Sequence, residues 1–321
     1  MTHEERLYIA HAGAFENDRL RGLPLVIALS HPQDAGGTAG HLGEVLLHEL
    51  DNVPVIEFDA DRLHDYRSRK PRITFKKDHY TNPVLPELKL YAVEDRLGKP
   101  FLLLTGAEPD LLWQRFTADV VDIAQRLEVS VALSVTGFPM PVPHTRPIPV
   151  TAHGSRKDLT VGISSFQPEA LVPGSVSSLL EVRLTEAGIG TAGFAVNVPQ
   201  YLSESELPQT ALVAMEHLSL AAKLSLPSDR LRELSENVQL QIDEQASASP
   251  EIQMMIQRLE ESYDANAAQG FGSLPLSERA AGRVPSRDEI GDEVEAFLAQ
   301  LNHNTRDTDG DGPRGLGPSG S

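Results

Sequence analysis

Five prolines crowd the stretch Pro139-Met140-Pro141-Val142-Pro143-His144-Thr145-Arg146-Pro147-Ile148-Pro149. Proline fixes φ and removes a backbone donor, so this run excludes a helix and is incompatible with a central strand. It follows the apolar segment Val129–Val135, which reads as a strand ending at Thr136-Gly137. What the prolines hold rigid is an imidazole, a hydroxyl and a guanidinium: His144, Thr145 and Arg146. A stiff loop at the end of a strand is a common place for function. The trio could bind an anion, because a guanidinium fork matches phosphate or carboxylate. It could equally pair with an acid within the fold or across a subunit contact, and this contact reading is preferred.

Around the loop, apolar runs alternate with helical patterns. Leu23–Leu29 reads as a buried parallel strand. The loop Ser30–Gly37 leads to a helix at Thr38–Leu50, and Val53–Phe58 is a second strand. Residues 61–89 are irregular and locally basic, with hairpin strands expected near Arg72–Phe75 and Lys89–Val93. Phe101–Thr105 is a strand, and Glu108-Pro109-Asp110 is expected to open a helix reaching Leu127. After the proline loop, the pattern gives a strand at Leu159–Ser164, a helix at Gly174–Ala187, a strand at Ile189–Val198 and a helix at Glu206–Leu224. Such alternation is the signature of an α/β sheet covered on both faces. The aliphatic character of the core follows from 40% hydrophobic residues with only 5% aromatics.

Beyond Pro227 only helical periodicity remains. Leu231, Leu234, Val238 and Ile242 form one set, and Ile252, Met255, Ile256, Leu259 and Tyr263 a second. Ile290, Val294, Phe297, Leu298 and Leu301 form a third, behind a cap-like Ser286 with Glu289. The expected organisation is an α/β domain over residues 1–227, amphipathic helices packed on it over 228–301, and a disordered tail over 302–321.

Several function classes are disfavoured at once. A formal charge of −18 opposes nucleic acid and anionic membranes. The absence of cysteine removes thiolate catalysis and cysteine-ligated metals. No apolar stretch spans a bilayer and no signal peptide is apparent, so a cytoplasmic protein is expected. Asp34, Gly36 and Gly37 sit between a strand and a helix, where backbone N–H groups can cradle an anion, but no phosphate-loop motif follows. A helix cap and tight turn is the plainer reading. Glu108 and Asp110 could act as acid and base, or could complement a helix dipole. His41, Glu44 and His48 share a helix face, yet without a metal-binding signature.

Four stretches together resemble the proteasome assembly chaperone 2 family in its actinobacterial form. They are Asp34-Ala35-Gly36, Gly106–Phe116 with its Glu108-Pro109-Asp110 and Trp113, Val142–Pro147 with Val150–His153, and Val284–Ile290 with Phe297-Leu298. The resemblance implies a three-layer α/β/α fold similar to the nucleoside phosphorylase core, with additional C-terminal helices. It also implies a homo-oligomer, a trimer by fold analogy, and proteasome subunits or other proteins as partners. Related sequences also carry an ATP-grasp or carboxylate–amine-ligase label. The chain departs from the family pattern at Ser30–Gln33, at Pro199-Gln200-Tyr201, and at its Gly317–Ser321 end, where proteasome-docking members carry a hydrophobic–tyrosine tail. The expectation is a chaperone-like interaction module with no catalytic residue, no metal and no cofactor. The alternative is a phosphorylase-like or carboxylate–amine-ligase-like enzyme holding a phosphate-bearing ligand near Arg146.

Overall fold

The computed structural model describes residues 6–161, 163 and 171–269. Ten strands are present among them: β1 (Tyr8–Ala10), β2 (Pro24–Ser30), β3 (Asn52–Phe58), β4 (Arg72–Lys76), β5 (His79–Val84), β6 (Leu88–Glu94), β7 (Pro100–Ala107), β8 (Val131–Met140), β9 (Val150–His153) and β10 (Thr191–Pro199). The helices are α1 (Thr38–Glu49), α2 (Ala60–Leu63), α3 (Trp113–Arg126), α4 (Lys157–Thr160), α5 (Val176–Glu186), α6 (Pro208–Ala222), α7 (Asp229–Ser247) and α8 (Pro250–Gln269).

Eight strands form one mixed sheet in the order β1-β3-β6-β7-β2-β8-β10-β9. The central four, β7, β2, β8 and β10, are parallel, and the flanks are antiparallel. The continuous apolar run of β2 is explained by its central place, since both of its faces are covered. Leu25, Ile27 and Leu29 point into a core shared with α3 and α5, through Phe116, Val120, Leu180 and Leu184. Val26 and Ala28 point the other way, into a core built with α1 and α6. Helices therefore lie on both faces of the sheet. Among the described residues no helix is long and apolar enough to cross a membrane.

Helices α7 and α8 join the second of these cores. Leu231, Ile242, Ala246, Ile252 and Ile256 are buried in the same cluster as Phe194, Leu218 and Met215. The third amphipathic set, with Val284–Ile290 and the tail, lies outside the described residues.

Several expectations need correction. β8 does not stop at Gly137 but runs on through Pro139 to Met140. The reason lies in the register. β2 pairs with β8 only as far as Ser134, so from Val135 onward β8 has a single neighbour, β10. Proline is tolerated where one side of a strand has no ladder to complete. Helix α3 begins at Trp113, not at Glu108, because Leu112 adopts a left-handed φ of 57° and breaks the helical path. Leu159 lies in the one-turn helix α4 rather than in a strand. The two strands expected in the basic region do not pair with each other. Arg72–Lys76 pairs with His79–Val84 in a separate two-stranded ribbon, while β6 joins the main sheet between β3 and β7. The edge strands β1 and β9 were not foreseen in the sequence.

Candidate functional site

Because the central strands are parallel, their carboxyl ends share one edge, where such sheets commonly carry ligands. The loops after β2, β7 and β8 all leave from this edge, and they hold the candidate residues apart from His41, Glu44 and His48, which lie on α1.

Asp34 acts as a knot in the first of these loops. Its carboxylate accepts from the backbone N–H groups of Ala39 (2.8 Å) and Gly40 (3.2 Å) at the start of α1, and from Gly137 (3.0 Å) on β8. It thus caps a helix and replaces the ladder partner that β8 loses where β2 ends. Burial pushes this carboxyl above its usual range, although the three N–H groups oppose the shift. Gly36 and Gly37 are both left-handed (φ 69° and 64°), a backbone that glycine adopts without strain. A methyl group on Gly36 would press on Leu207 and Thr210. Gly137 is equally constrained, because any Cβ there would overlap the Ala35 carbonyl oxygen.

Glu108 is buried at the end of β7. Its Oε1 accepts from the N–H of Val176, the first residue of α5, at 2.5 Å. It does complement a helix terminus, but that of α5 and not that of its own neighbour α3. Burial raises its pKa. Asp110 accepts from the Asp65 N–H (2.9 Å) and from Arg69 Nη2 (3.1 Å), with His64 Nδ1 at 3.7 Å. His41 lies 2.6 Å from Glu206; burial works against its charge, but the carboxylate outweighs it and raises the pKa. His48 sits beside Glu49 and Arg230. Among the described residues, no cluster of three or more potential ligands could hold a metal ion.

The proline loop is the most heavily engaged of the three. The buried His144 ring stands between Tyr201 and Asp243. Its Nε2 faces Asp243 Oδ1 at 3.2 Å, and its Nδ1 is 2.5 Å from the Tyr201 hydroxyl. A proton on Nε2 donates to the carboxylate, leaving Nδ1 to accept from the tyrosine. The same hydroxyl oxygen accepts from the His144 backbone N–H at 2.9 Å. Burial lowers the His144 pKa, with Asp243 only partly opposing it, so the ring is neutral near pH 7. Burial also raises the Tyr201 pKa.

Thr145 and Arg146 reach α8. Thr145 Oγ1 donates to Glu260 at 2.5 Å. Arg146 makes a fork with Asp264, Nε to Oδ1 and Nη2 to Oδ2, both at 2.9 Å, and its Nη1 contacts Glu260 at 2.9 Å. Tyr263 closes the set by donating to the Pro147 carbonyl at 2.8 Å. The structure thus brings His144, Thr145 and Arg146 together as one surface and lays α7 and α8 against it. Asp34 connects to that surface through Gly137 on β8, and Gly36 through its N–H to the Ser203 carbonyl at 3.0 Å, two residues beyond Tyr201. Glu108 and Asp110 are tied to α5 and to residues 64–69 instead.

Tyr201, Asp243, Glu260 and Asp264 were not foreseen. Glu260 and Asp264 are four residues apart, on one face of a helix, which is the spacing that offers two carboxylates to one guanidinium. That spacing was a usable signal.

The chain matches the PAC2 family profile over residues 28–246. Among solved structures it is similar to Rv2714, a Mycobacterium tuberculosis protein of unknown function, with 40% identity, 92% of this chain and 96% of that one covered, and a TM-score of 0.78. A Corynebacterium glutamicum protein of unknown function is 35% identical over 82% of this chain and 99% of its own, with a TM-score of 0.77. Rv2125, described as a proteasome-assembly chaperone homologue of Mycobacterium tuberculosis, shares the fold at 20% identity and a TM-score of 0.65, over 73% of this chain and 100% of its own. No curated protein matches the chain.

Proposed function

The chain belongs to the PAC2 family, and from that premise we propose that it works as a chaperone-like protein–protein interaction module that self-associates and performs no turnover chemistry. The observation that carries this reading is the state of Arg146. The guanidinium best placed to receive a phosphate is already held by the carboxylates of Asp264 and Glu260. An anionic ligand would have to displace two like-charged groups supplied by the chain itself. His144 is neutral and fully engaged, so it offers no second cation. The loop serves as a clasp for the terminal helices. The covered sheet supports the expected layered core, and a trimeric assembly remains the preferred form.

Proteasome components are the partner class this reading favours, because solved relatives of the same fold include a proteasome-assembly chaperone homologue. An intracellular setting is part of this reading, and a chain without cysteine fits it.

The test is a thermal-shift panel of nucleotides, nucleosides and inorganic phosphate on the full chain, run beside affinity purification from the native cell. A ligand bound by the native state raises the midpoint with its occupancy. The expected result is no shift across the panel, with recovery of protein partners. A shift that disappears in Arg146→Ala, with the oligomer intact by light scattering, would overturn this reading in favour of the phosphorylase-like or ligase-like alternative.

A further inference from the structure

The ribbon formed by β4 and β5 presents a face that nothing in the described molecule covers. Side chains alternate along a strand, so Ile73 and Phe75 share one face while Arg72, Thr74 and Lys76 share the other. Tyr80 lies opposite Phe75 in register, and their rings meet edge to face with centroids 5.1 Å apart. These three apolar side chains remain 51%, 60% and 69% exposed. An isolated two-stranded ribbon is at best marginally stable in water, so this one calls for a covering element.

The chemistry of the cover follows from charge. Besides Arg69, which Asp110 already holds, the ribbon and its stem carry Arg67, Lys70, Arg72, Lys76 and Lys77 in a chain whose net charge is −18. The complement is an element that is apolar on one side and acidic beside it.

The chain contains such an element. In residues 286–301, Ile290, Val294, Phe297, Leu298 and Leu301 recur at helical spacing, with Asp288, Glu289, Asp292, Glu293 and Glu295 between them. This segment lies outside the described residues. The stretch from Gln269, the last described residue of α8, to Ser286 spans at most roughly 60 Å at about 3.3–3.6 Å per residue, a reach that can cross a domain. We propose that residues 286–301 dock on the β4–β5 ribbon, setting their apolar side on Ile73, Phe75 and Tyr80 and their carboxylates against Lys77 in the turn and Arg67 and Lys70 in the stem, since Arg72 and Lys76 lie on the opposite face. The inference does not depend on the absence of catalysis.

The test places the photoreactive p-benzoylphenylalanine at position 75 of the full chain and maps the crosslinked peptides by mass spectrometry. The expected product joins position 75 to residues 286–301, whichever copy supplies the segment. It is lost in Phe297→Asp and in the double variant K70E/K77E, with unchanged melting midpoints. Hydrogen exchange over residues 72–84 speeds up in the same Phe297→Asp chain. Should a variant fold poorly, the wild-type crosslink still has to weaken as salt rises. A crosslink confined to other segments, or none at all, overturns the proposal, as does a product that survives in Phe297→Asp.

Discussion

The hydroxyl of Tyr201 receives one hydrogen bond from the His144 backbone and gives another to its ring. Removing it leaves a buried N–H and a buried ring nitrogen without partners. Tyr201→Phe should therefore lower stability by about 1–3 kcal/mol, measured by denaturant unfolding. His144 also gives the clasp a pH sign. Its folded pKa is depressed by burial, with Tyr201, Asp243 and Glu260 as the groups facing it. The unfolded chain then binds the proton more readily. The stability due to this residue is present above the ordinary histidine value near 6.5 and is lost as pH falls below it. Replacing it with glutamine should remove part of the drop in midpoint between pH 7.5 and 5.5, and an unchanged drop would contradict the assignment. That His144 and Arg146 are held rigid was legible from the flanking prolines. What they hold was not, because Asp243, Glu260 and Asp264 lie about a hundred residues further along and local patterns carry no distance information.

Helix α8 shows how an element is secured by two kinds of contact. One face buries Ile252 and Ile256 in the second core, and another supplies Glu260, Tyr263 and Asp264 to the proline loop. Ile256→Ala should cost about 2–5 kcal/mol, as for other large-to-small changes in a packed core. Met254→Ala, on the exposed side, should change the unfolding free energy by less than about 0.5 kcal/mol. The periodicity of α7 and α8 was readable because each buries a regular stripe. The start of α3 was not: Pro109 and its acidic neighbours look like a first turn, but Leu112 takes a positive φ that no local sequence signal announces. The extension of β8 through Pro139 was missed for a similar reason. A strand can be central at one end and an edge at the other, and only the register with β2 reveals the change.

Taken whole, the molecule is a mixed sheet with helices on both faces, and its terminal helices are bound to the sheet's carboxyl edge by a polar loop. The alternation of strand and helix made the α/β class legible, and the motif resemblance led to the family. The edge strands β1 and β9 were hidden because they are only three and four residues long, and β5 because it is almost wholly exposed; β4 was legible, but not its partner. The central claim is that the proline loop grips this chain's own helices. Hydrogen exchange on wild-type and Arg146→Ala protein tests it most directly. Faster exchange across residues 250–266 in the variant, with the strands β2, β7 and β8 as protected as before, is the predicted result. Unaltered protection of α8 in that variant would contradict the account.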